Sequence, residues 1–190
     1  MSKILEWAKT AEHCQRNWLN LPVQPSDIDT IVEACTTMPT KQNELHYELV
    51  VVTDPWYRAK VAKYAVETID SKGRTYPSHG NPQMLSPLQL LWFTTKHSVQ
   101  DRKDASNSIG ISSAAASLCA QELGLRTGFC ACARGDIILE LFADCFDRPK
   151  HLLQLELMMG IGYADPQQPY NSWRGGTIKT HPAQRRVHRR

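Results

Sequence analysis

The sequence lacks the features that mark membrane and secreted proteins. Its apolar runs are short and interrupted, well below the roughly 20 residues that a membrane-spanning helix needs. Residues 1–6 place an acidic side chain, Glu6, where a signal peptide would have its apolar stretch. We therefore expect a cytoplasmic protein with no membrane partner.

The six cysteines do not form the pairs that a zinc site or a dithiol motif requires. No C-x-x-C pair occurs, and no second pair completes a zinc set with Cys130 and Cys132. If these two residues lie on a strand, their side chains point the same way. We expect buried free thiols in a reducing compartment and no redox role for Cys130 or Cys132.

Length, composition and charge are those of an ordinary globular domain. A chain of 190 residues can bury a proper core, and we predict a single domain over 1–190. Its hydrophobic fraction of 42% and charged fraction of 22% are typical of such domains. The net charge of +3 is small and much of it lies in the tail 185–190, which argues against a broad nucleic-acid-binding face.

The hydrophobic pattern predicts helices and strands that alternate around one sheet, in an α+β arrangement of two or three layers. Ser26 is expected to cap a helix, with Asp29 in capping-box position, and Pro55 to begin another helix. The Gly- and Pro-rich stretch 73–82 is expected to be a loop. The pattern predicts helices over 3–14, 103–123 and 136–145, and strands over 47–53, 88–95, 127–132 and 153–161.

The most unusual segment is 38–43, which lies between a predicted helix and a predicted strand. It carries a proline, a hydroxyl, a cation and two amides in five consecutive positions, from Pro39 to Asn43. A helix-to-strand connection needs only a short polar turn. These groups can hydrogen-bond a large polar ligand on several sides at once, and whether they do so decides between an enzyme and a simple globular domain.

Five segments in this order resemble the nitroreductase family of FMN-dependent oxidoreductases. Residues 15–18 resemble the segment that holds the FMN phosphate and ribityl chain, and 39–43 resemble the family's Pro-Ser-x-x-Asn turn. Residues 81–85 resemble the segment whose amide reaches the flavin pyrimidine edge. Residues 108–128 resemble the long Ala-rich central helix, and 157–163 resemble the late strand that closes the core.

The resemblance implies an α+β nitroreductase-like fold with a central, mostly antiparallel sheet flanked by helices. It also implies a homodimer with FMN at the subunit interface, where the long small-residue helix packs against its partner's copy. The implied function is hydride transfer from NADH or NADPH, through FMN, to a nitroaromatic, quinone or similar flat acceptor. The alternatives are a flavin-fragmenting or reductive dehalogenase-like relative, and a flavin-binding or nucleic-acid-associated protein without turnover.

The resemblance also assigns residues to the phosphate side of FMN. It places Arg16 on the phosphate, where a guanidinium fork matches phosphate oxygens, with Asn17 and Trp18 beside it. The family often adds a late basic residue. Arg174, Lys179, Arg185 and Arg186 could each serve, Arg185 or Arg186 is preferred, and a solvated basic tail is the alternative.

Other residues are assigned to the flavin ring. Thr40 and Asn43 would contact FMN from the same or the opposite subunit, and either Asn81 or Gln83 would reach the pyrimidine edge. Ala133 and Arg134 lie where the family offers a backbone N–H to flavin N5. The cofactor carries the hydride chemistry, so no catalytic side chain is assigned.

The chain departs from the family pattern at one position. The family has a second basic residue four positions after its first Arg, close to flavin N1 and O2, where this chain has Leu19 or Asn20. A cation there stabilises the anionic reduced flavin. Our hypothesis is that Lys41 compensates for the missing charge, although Lys41 and Gln42 could also point outward.

Overall fold

A computed structural model describes residues 2–10, 15–44, 46–65, 81–95 and 99–165 of the chain. The helices of this part are α1 (Lys3–Thr10), α2 (Pro25–Thr36), α3 (Pro55–Tyr64), α4 (Val99–Glu122) and α5 (Gly135–Leu141). The strands are β1 (Glu48–Val52), β2 (Leu88–Thr95), β3 (Arg126–Cys130) and β4 (Leu153–Gly162). Short 3₁₀ turns include Lys41–Asn43 and Pro82–Leu85.

The start of α2 differs from the sequence prediction. Gln24 is the N-cap, Pro25 is the first helical residue, and the cap makes no side-chain hydrogen bond. The predicted cap at Ser26 is therefore wrong, because proline fits the first helical position and starts the helix two residues earlier. Ile31 and Cys35 of this helix are fully buried.

The other boundaries agree with the sequence to within a few residues. Asp54 caps α3 by accepting hydrogen bonds from the Trp56 and Tyr57 amides, and Pro55 begins the helix as predicted. α4 starts at residue 99 rather than 103, and Gly124 ends it with a φ of 77°. α5 ends at residue 141 rather than 145, where a 3₁₀ turn follows.

The four strands form one antiparallel sheet in the order β1-β2-β4-β3. In β2, Leu88, Leu90 and Trp92 face one side, while Leu91 and Phe93 face the other. All are fully buried, because helices cover both faces of the sheet. The predicted α+β class with an antiparallel sheet is confirmed.

The two faces of the sheet have separate cores. α2 and α4 cover the first face, where Ile31, Ile109 and Ala116 join one hydrophobic cluster. α3 and α5 cover the second face, where Val61 and Ile138 join the other cluster. The segment 82–85 also packs on the second face, since Met84 belongs to that second cluster.

None of the helices in the described ranges is long and apolar enough to cross a bilayer. The cytoplasmic location stays a prediction.

Candidate functional site

Two glycines on neighbouring strands allow other segments to lie directly against the sheet. A Cβ on Gly160 would overlap the backbone of Gln83 and lie 2.6 Å from Ser86 Oγ. A Cβ on Gly128 would lie 2.5 Å from the carbonyl oxygen of Gln15. Since Gly128 and Gly160 pair across β3 and β4, the sheet has a side-chain-free floor under these two segments. We call this floor and the segments around it the glycine cleft.

Residues 15–18 form one wall of the glycine cleft. The Gln15 amide donates to the Thr127 carbonyl over 3.1 Å, so the segment continues beyond the free edge of β3. The Trp18 indole N–H donates to the Pro82 carbonyl over 2.9 Å, and Trp18 forms a β-bridge with Ala164. Trp18 therefore fastens the wall to both the end of β4 and the segment 82–85.

Gln15 is a site residue that the sequence analysis did not single out. It is 1% exposed, and its Nε2 donates to the Asn17 carbonyl over 2.6 Å. Its Oε1 is buried and accepts no hydrogen bond within the described ranges. Buried polar atoms are normally paired, so this oxygen is an acceptor available to a ligand. Arg16 and Asn17 follow it and are half-buried.

Asn81 and Gln83 form the second wall, and both are buried. Asn81 Oδ1 accepts from the Gln83 amide over 2.9 Å, which caps the 3₁₀ turn. Asn81 Nδ2 therefore faces Cys130 Sγ at 2.9 Å and Gln83 Oε1 at 3.4 Å. With its oxygen turned towards Asn81, Gln83 keeps its Nε2 as the end that can donate to another group.

The turn 131–134 after β3 closes the end of the glycine cleft. β3 ends at Cys130 and not at Cys132 as predicted, because the Cys132 amide donates to Cys130 Sγ over 3.3 Å instead of continuing the ladder. The Arg134 amide donates to the Tyr64 carbonyl over 2.9 Å. The backbone amides of Cys132 and Arg134 are therefore both bonded, whereas the Ala133 amide between them has no acceptor in the part of the chain described here.

The Arg134 side chain points into solvent and pairs with Asp136 over 3.2 Å. The hydrogen bonds that Arg134 donates to Asp136 raise the pKa of the guanidinium and lower the pKa of the carboxyl. Both groups are fully exposed, so this pair contributes little to stability. Any contact of Arg134 with a flavin stays a prediction.

The turn 38–44 lies elsewhere, beside a groove of about 630 Å³ that Pro39, Thr40 and Asn43 help to line. Gln42 and Asn43 have φ values of 57° and 55°, a left-handed conformation that costs free energy without glycine. Thr40 Oγ1 donates within the turn, to the Glu44 carbonyl over 2.7 Å.

An ion pair ties this turn to α4. Lys41 Nζ lies 2.7 Å from Asp104 Oδ2, and the Asp104 side chain is 12% exposed. The ammonium charge therefore has an acidic partner within its own chain. A contribution of Lys41 to a flavin stays a hypothesis.

The glycine cleft and the turn 38–44 occupy opposite edges of the sheet. The turn leads into β1 at one edge, and the cleft wall 15–18 meets β3 at the other edge. Neighbouring strands lie about 4.8 Å apart, which separates the outer strands by about 14 Å. The helix-covered sheet lies between them, so one chain does not bring Thr40 or Asn43 to Arg16.

The described cysteines are free thiols, as expected, but they are not all buried. Cys35 and Cys130 are buried, Cys119 and Cys132 are half-buried, and Cys145 is exposed. The expectation of burial is wrong for Cys145, because it lies in the 3₁₀ turn after α5 and not within a longer helix. Within the described ranges, no cluster of three His, Cys, Asp or Glu side chains could hold a metal ion.

Several predicted site residues fall outside the described residues. These are Arg174, Lys179, Arg185 and Arg186, together with most of the predicted loop 73–82 and the end of the predicted helix 3–14.

No family model matches the sequence, and no curated protein sequence matches it. Solved structures do. An FMN-dependent nitroreductase from Clostridium difficile R20291 is 18% identical, with a TM-score of 0.66 over 88% of this chain and 92% of the other. A nitroreductase family protein from Clostridium novyi NT is 13% identical, with a TM-score of 0.69 over 90% and 89%.

A third structure is the NADPH:FMN oxidoreductase from Vibrio harveyi complexed with NAD⁺. It is 14% identical and has a TM-score of 0.70 over 98% of this chain and 80% of the other. At these identities the likeness concerns the fold. The chain therefore has the nitroreductase fold, which confirms the fold resemblance seen in its sequence.

Proposed function

We propose that the protein is a flavin oxidoreductase, and specifically an FMN-dependent NAD(P)H oxidoreductase that reduces a nitroaromatic, quinone or similar flat acceptor. The glycine cleft carries this proposal. In it, two segments pack directly on Gly128 and Gly160, and together with the turn 131–134 they offer hydrogen-bonding groups from three separate parts of the chain. The names of the structural neighbours support it, since one is an FMN-dependent nitroreductase and another an NADPH:FMN oxidoreductase.

The groups of the glycine cleft fit a flavin ring. A flavin pyrimidine edge requires both donors and an acceptor, and its N5 requires a donor. Gln83 Nε2 would donate and Gln15 Oε1 would accept at the pyrimidine edge. The Ala133 amide would donate to N5. Of the two amides that the sequence leaves open, Gln83 is preferred, because both ends of the Asn81 amide are engaged within the chain.

The phosphate would bind beside the first wall. Arg16 follows Gln15 directly, and its guanidinium suits a phosphate. Asn17 would support it, while Trp18 holds the wall in place through Pro82. A contribution of Arg185 stays part of the proposal.

A homodimer would complete the site. Thr40, Lys41 and Asn43 lie at the edge of the sheet opposite Arg16, so only the turn of a second copy could reach the same ligand. α4 offers a face for such a copy, since Gly110, Ile111 and Ala114 are exposed. Their small or apolar side chains allow two helices to approach closely.

FMN, when bound, supplies the hydride transfer between the nicotinamide and the acceptor. The chain would hold the ring beside the two segments that pack on Gly128 and Gly160, donate to N5 from the Ala133 amide and hold the pyrimidine edge with Gln83. The two walls and the turn 131–134 would exclude water from three sides of the ring. No side chain of the cleft need act as an acid or base.

An anaerobic titration tests this function. The purified protein is expected to be yellow with an FMN spectrum, to bleach with NADH or NADPH, and to regain its colour with a nitroaromatic or a quinone. A colourless protein that binds no added FMN would contradict the proposal. A yellow protein that neither nicotinamide bleaches would favour a flavin-binding protein without turnover.

A pair of arginine variants tests the binding site. Arg16→Ala is expected to weaken FMN binding at least tenfold in a fluorescence titration, because a phosphate would lose its guanidinium partner. Arg148→Ala is the control, since Arg148 is exposed near β1 and lies 3.7 Å from Glu48. Equal FMN affinities in the two variants would show that Arg16 does not bind the phosphate.

A further inference from the structure

The sulfur of Cys130 connects the second wall of the glycine cleft to the turn 131–134. It accepts hydrogen bonds from Asn81 Nδ2 over 2.9 Å and from the Cys132 amide over 3.3 Å. The thiol is also within 3.3 Å of the Cys132 carbonyl, to which it can donate. Cys130 is 5% exposed at the end of β3, so these bonds are made inside the protein.

The two connected elements are already anchored at their backbones. The Asn81 amide donates to the Ala62 carbonyl over 2.9 Å, and the Arg134 amide donates to the Tyr64 carbonyl over 2.9 Å. Both acceptors lie in the last turn of α3. These bonds place the backbones, but they do not decide which way the Asn81 amide group turns.

The Cys130 sulfur and the Gln83 backbone N–H together fix that orientation. An amide group has an accepting end and a donating end, and its site has to match both. The Gln83 amide meets Oδ1 of Asn81, and the sulfur meets Nδ2. Nδ2 in turn faces Gln83 Oε1 at 3.4 Å, which leaves Gln83 Nε2 as the free donating end. Cys130 therefore influences the orientation of the Gln83 amide group through Asn81.

We infer that Cys130 is a positioning residue, which fixes the Asn81 and Gln83 amides and the turn 131–134 around the ring of the bound cofactor. This inference rests on the proposed function. Cys130 does not touch the cofactor itself. Its effect reaches the pyrimidine edge through Gln83 and reaches N5 through the turn that carries Ala133.

The decisive variant is Cys130→Ala, measured at saturating FMN. A donor at the pyrimidine edge stabilises the electron-rich reduced ring, so loss of its orientation is expected to make the flavin midpoint potential more negative. FMN affinity is expected to fall at least tenfold. Cys130→Ser retains an acceptor and a donor and is expected to stay within threefold of the wild type.

Cys35→Ala is the matched control, because Cys35 is an equally buried thiol on the opposite face of the sheet. It is expected to lose stability without changing the potential. In a Gln83→Ala background, Cys130→Ala is expected to shift the potential less than it does in the wild type, since only its effect through the turn 131–134 then remains. A wild-type potential in Cys130→Ala, or fully additive effects with Gln83→Ala, would overturn the inference.

Asn81→Asp tests the same connection if Cys130→Ala does not fold. The aspartate keeps the oxygen that caps Gln83, replaces the Nδ2 donor with a second oxygen and adds a buried negative charge, which also makes the potential more negative. It is expected to shift the potential in the same direction, and an unchanged potential would count against the inference.

The wild-type protein separates this inference from the proposed function. Failure of the wild type to bind FMN would overturn both the function and the positioning role. The connection itself can still be measured in the apoprotein by a double-mutant cycle. Cys130→Ala and Asn81→Asp are expected to change the folding equilibrium constant non-additively, with a coupling of at least fivefold. FMN binding by the wild type without an effect of Cys130→Ala would overturn the inference alone.

Discussion

The backbone of Gln83 lies so close to Gly160 that no other residue fits on the strand at this point. A Cβ on Gly160 would overlap the Gln83 carbonyl, and Ser86 Oγ would lie 2.6 Å away. The glycine is thus required by a close approach of two backbone segments. In this arrangement Asn81 lies within hydrogen-bonding distance of both Gln83 and Cys130.

Gly160→Ala is expected to push the segment 82–85 off the sheet. We expect at least a tenfold loss of FMN affinity and a stability loss of about 1–3 kcal/mol, the usual cost of overpacking. Gly124→Ala is the control, since its φ of 77° makes alanine costly there while a Cβ meets nothing within 4 Å, so it is expected to lose stability without losing FMN affinity. Normal FMN affinity in Gly160→Ala would show that this close approach does not shape the site.

Lys41→Ala tests whether the turn 38–44 tunes the flavin. If Lys41 compensates for the missing cation at Leu19 or Asn20, the midpoint potential should fall by about 30 mV, which corresponds to about 1.4 kcal/mol for two electrons. Reductive titration against a reference dye measures it. An unchanged potential would leave Lys41 with its ion pair to Asp104 alone.

Asp104→Asn is the companion variant to Lys41→Ala. It removes the acidic partner 2.7 Å from the ammonium and keeps the cation. The potential is expected to rise or stay level, because the charge of Lys41 is then less neutralised. A fall equal to that in Lys41→Ala would show that the ion pair only holds the turn.

Stability is expected to fall in alkali because of Cys35. Burial raises the pKa of this thiol to about 12, with a smaller contribution from Cys119. The unfolded chain releases the proton near pH 9, so the stabilisation is complete below that pH and is lost as pH rises towards 12.

The expected slope is about 1.4 kcal/mol per pH unit for this single proton. Urea unfolding of the wild type and Cys35→Ala between pH 8 and pH 11 measures the difference. The difference in the free energy of unfolding between the wild type and Cys35→Ala should become smaller as pH rises. A constant gap would mean that the thiol ionises equally in both states.

The exposed face of α4 is expected to bind a second copy. Ile111 is 40% exposed on this helix, and a charge there would be buried at a helix–helix interface. Ile111→Glu is expected to give a monomer in sedimentation experiments and to weaken FMN binding. Trp56→Glu is the control, because Trp56 is exposed on α3, across the sheet. A dimer that persists in Ile111→Glu would place the interface elsewhere.

Much of the fold follows from local sequence. The β-branched run 48–52 and the apolar run 88–95 predict strands, and Asp54 followed by Pro55 predicts the start of a helix. Each of these signals acts over a few residues, so a tertiary contact is not needed to see it. Where a predicted boundary is wrong, a neighbouring group sets the observed boundary. Pro25 displaces the cap from Ser26, and the Cys130 sulfur ends β3 early.

The candidate site also combines features that local sequence predicts with features that only tertiary contacts produce. The sequence by itself determined the helices, the strands and the excess of hydrogen-bonding groups in 39–43, while its resemblance to a family marked 15–18 and 81–85. Only the tertiary structure decided that 15–18 and 81–83 meet over Gly128 and Gly160, while 39–43 lies at the far edge of the sheet. It also turned the Asn81 amide towards Cys130, 49 residues away. Strand order and amide orientation depend on contacts between distant residues, which local spacing does not contain.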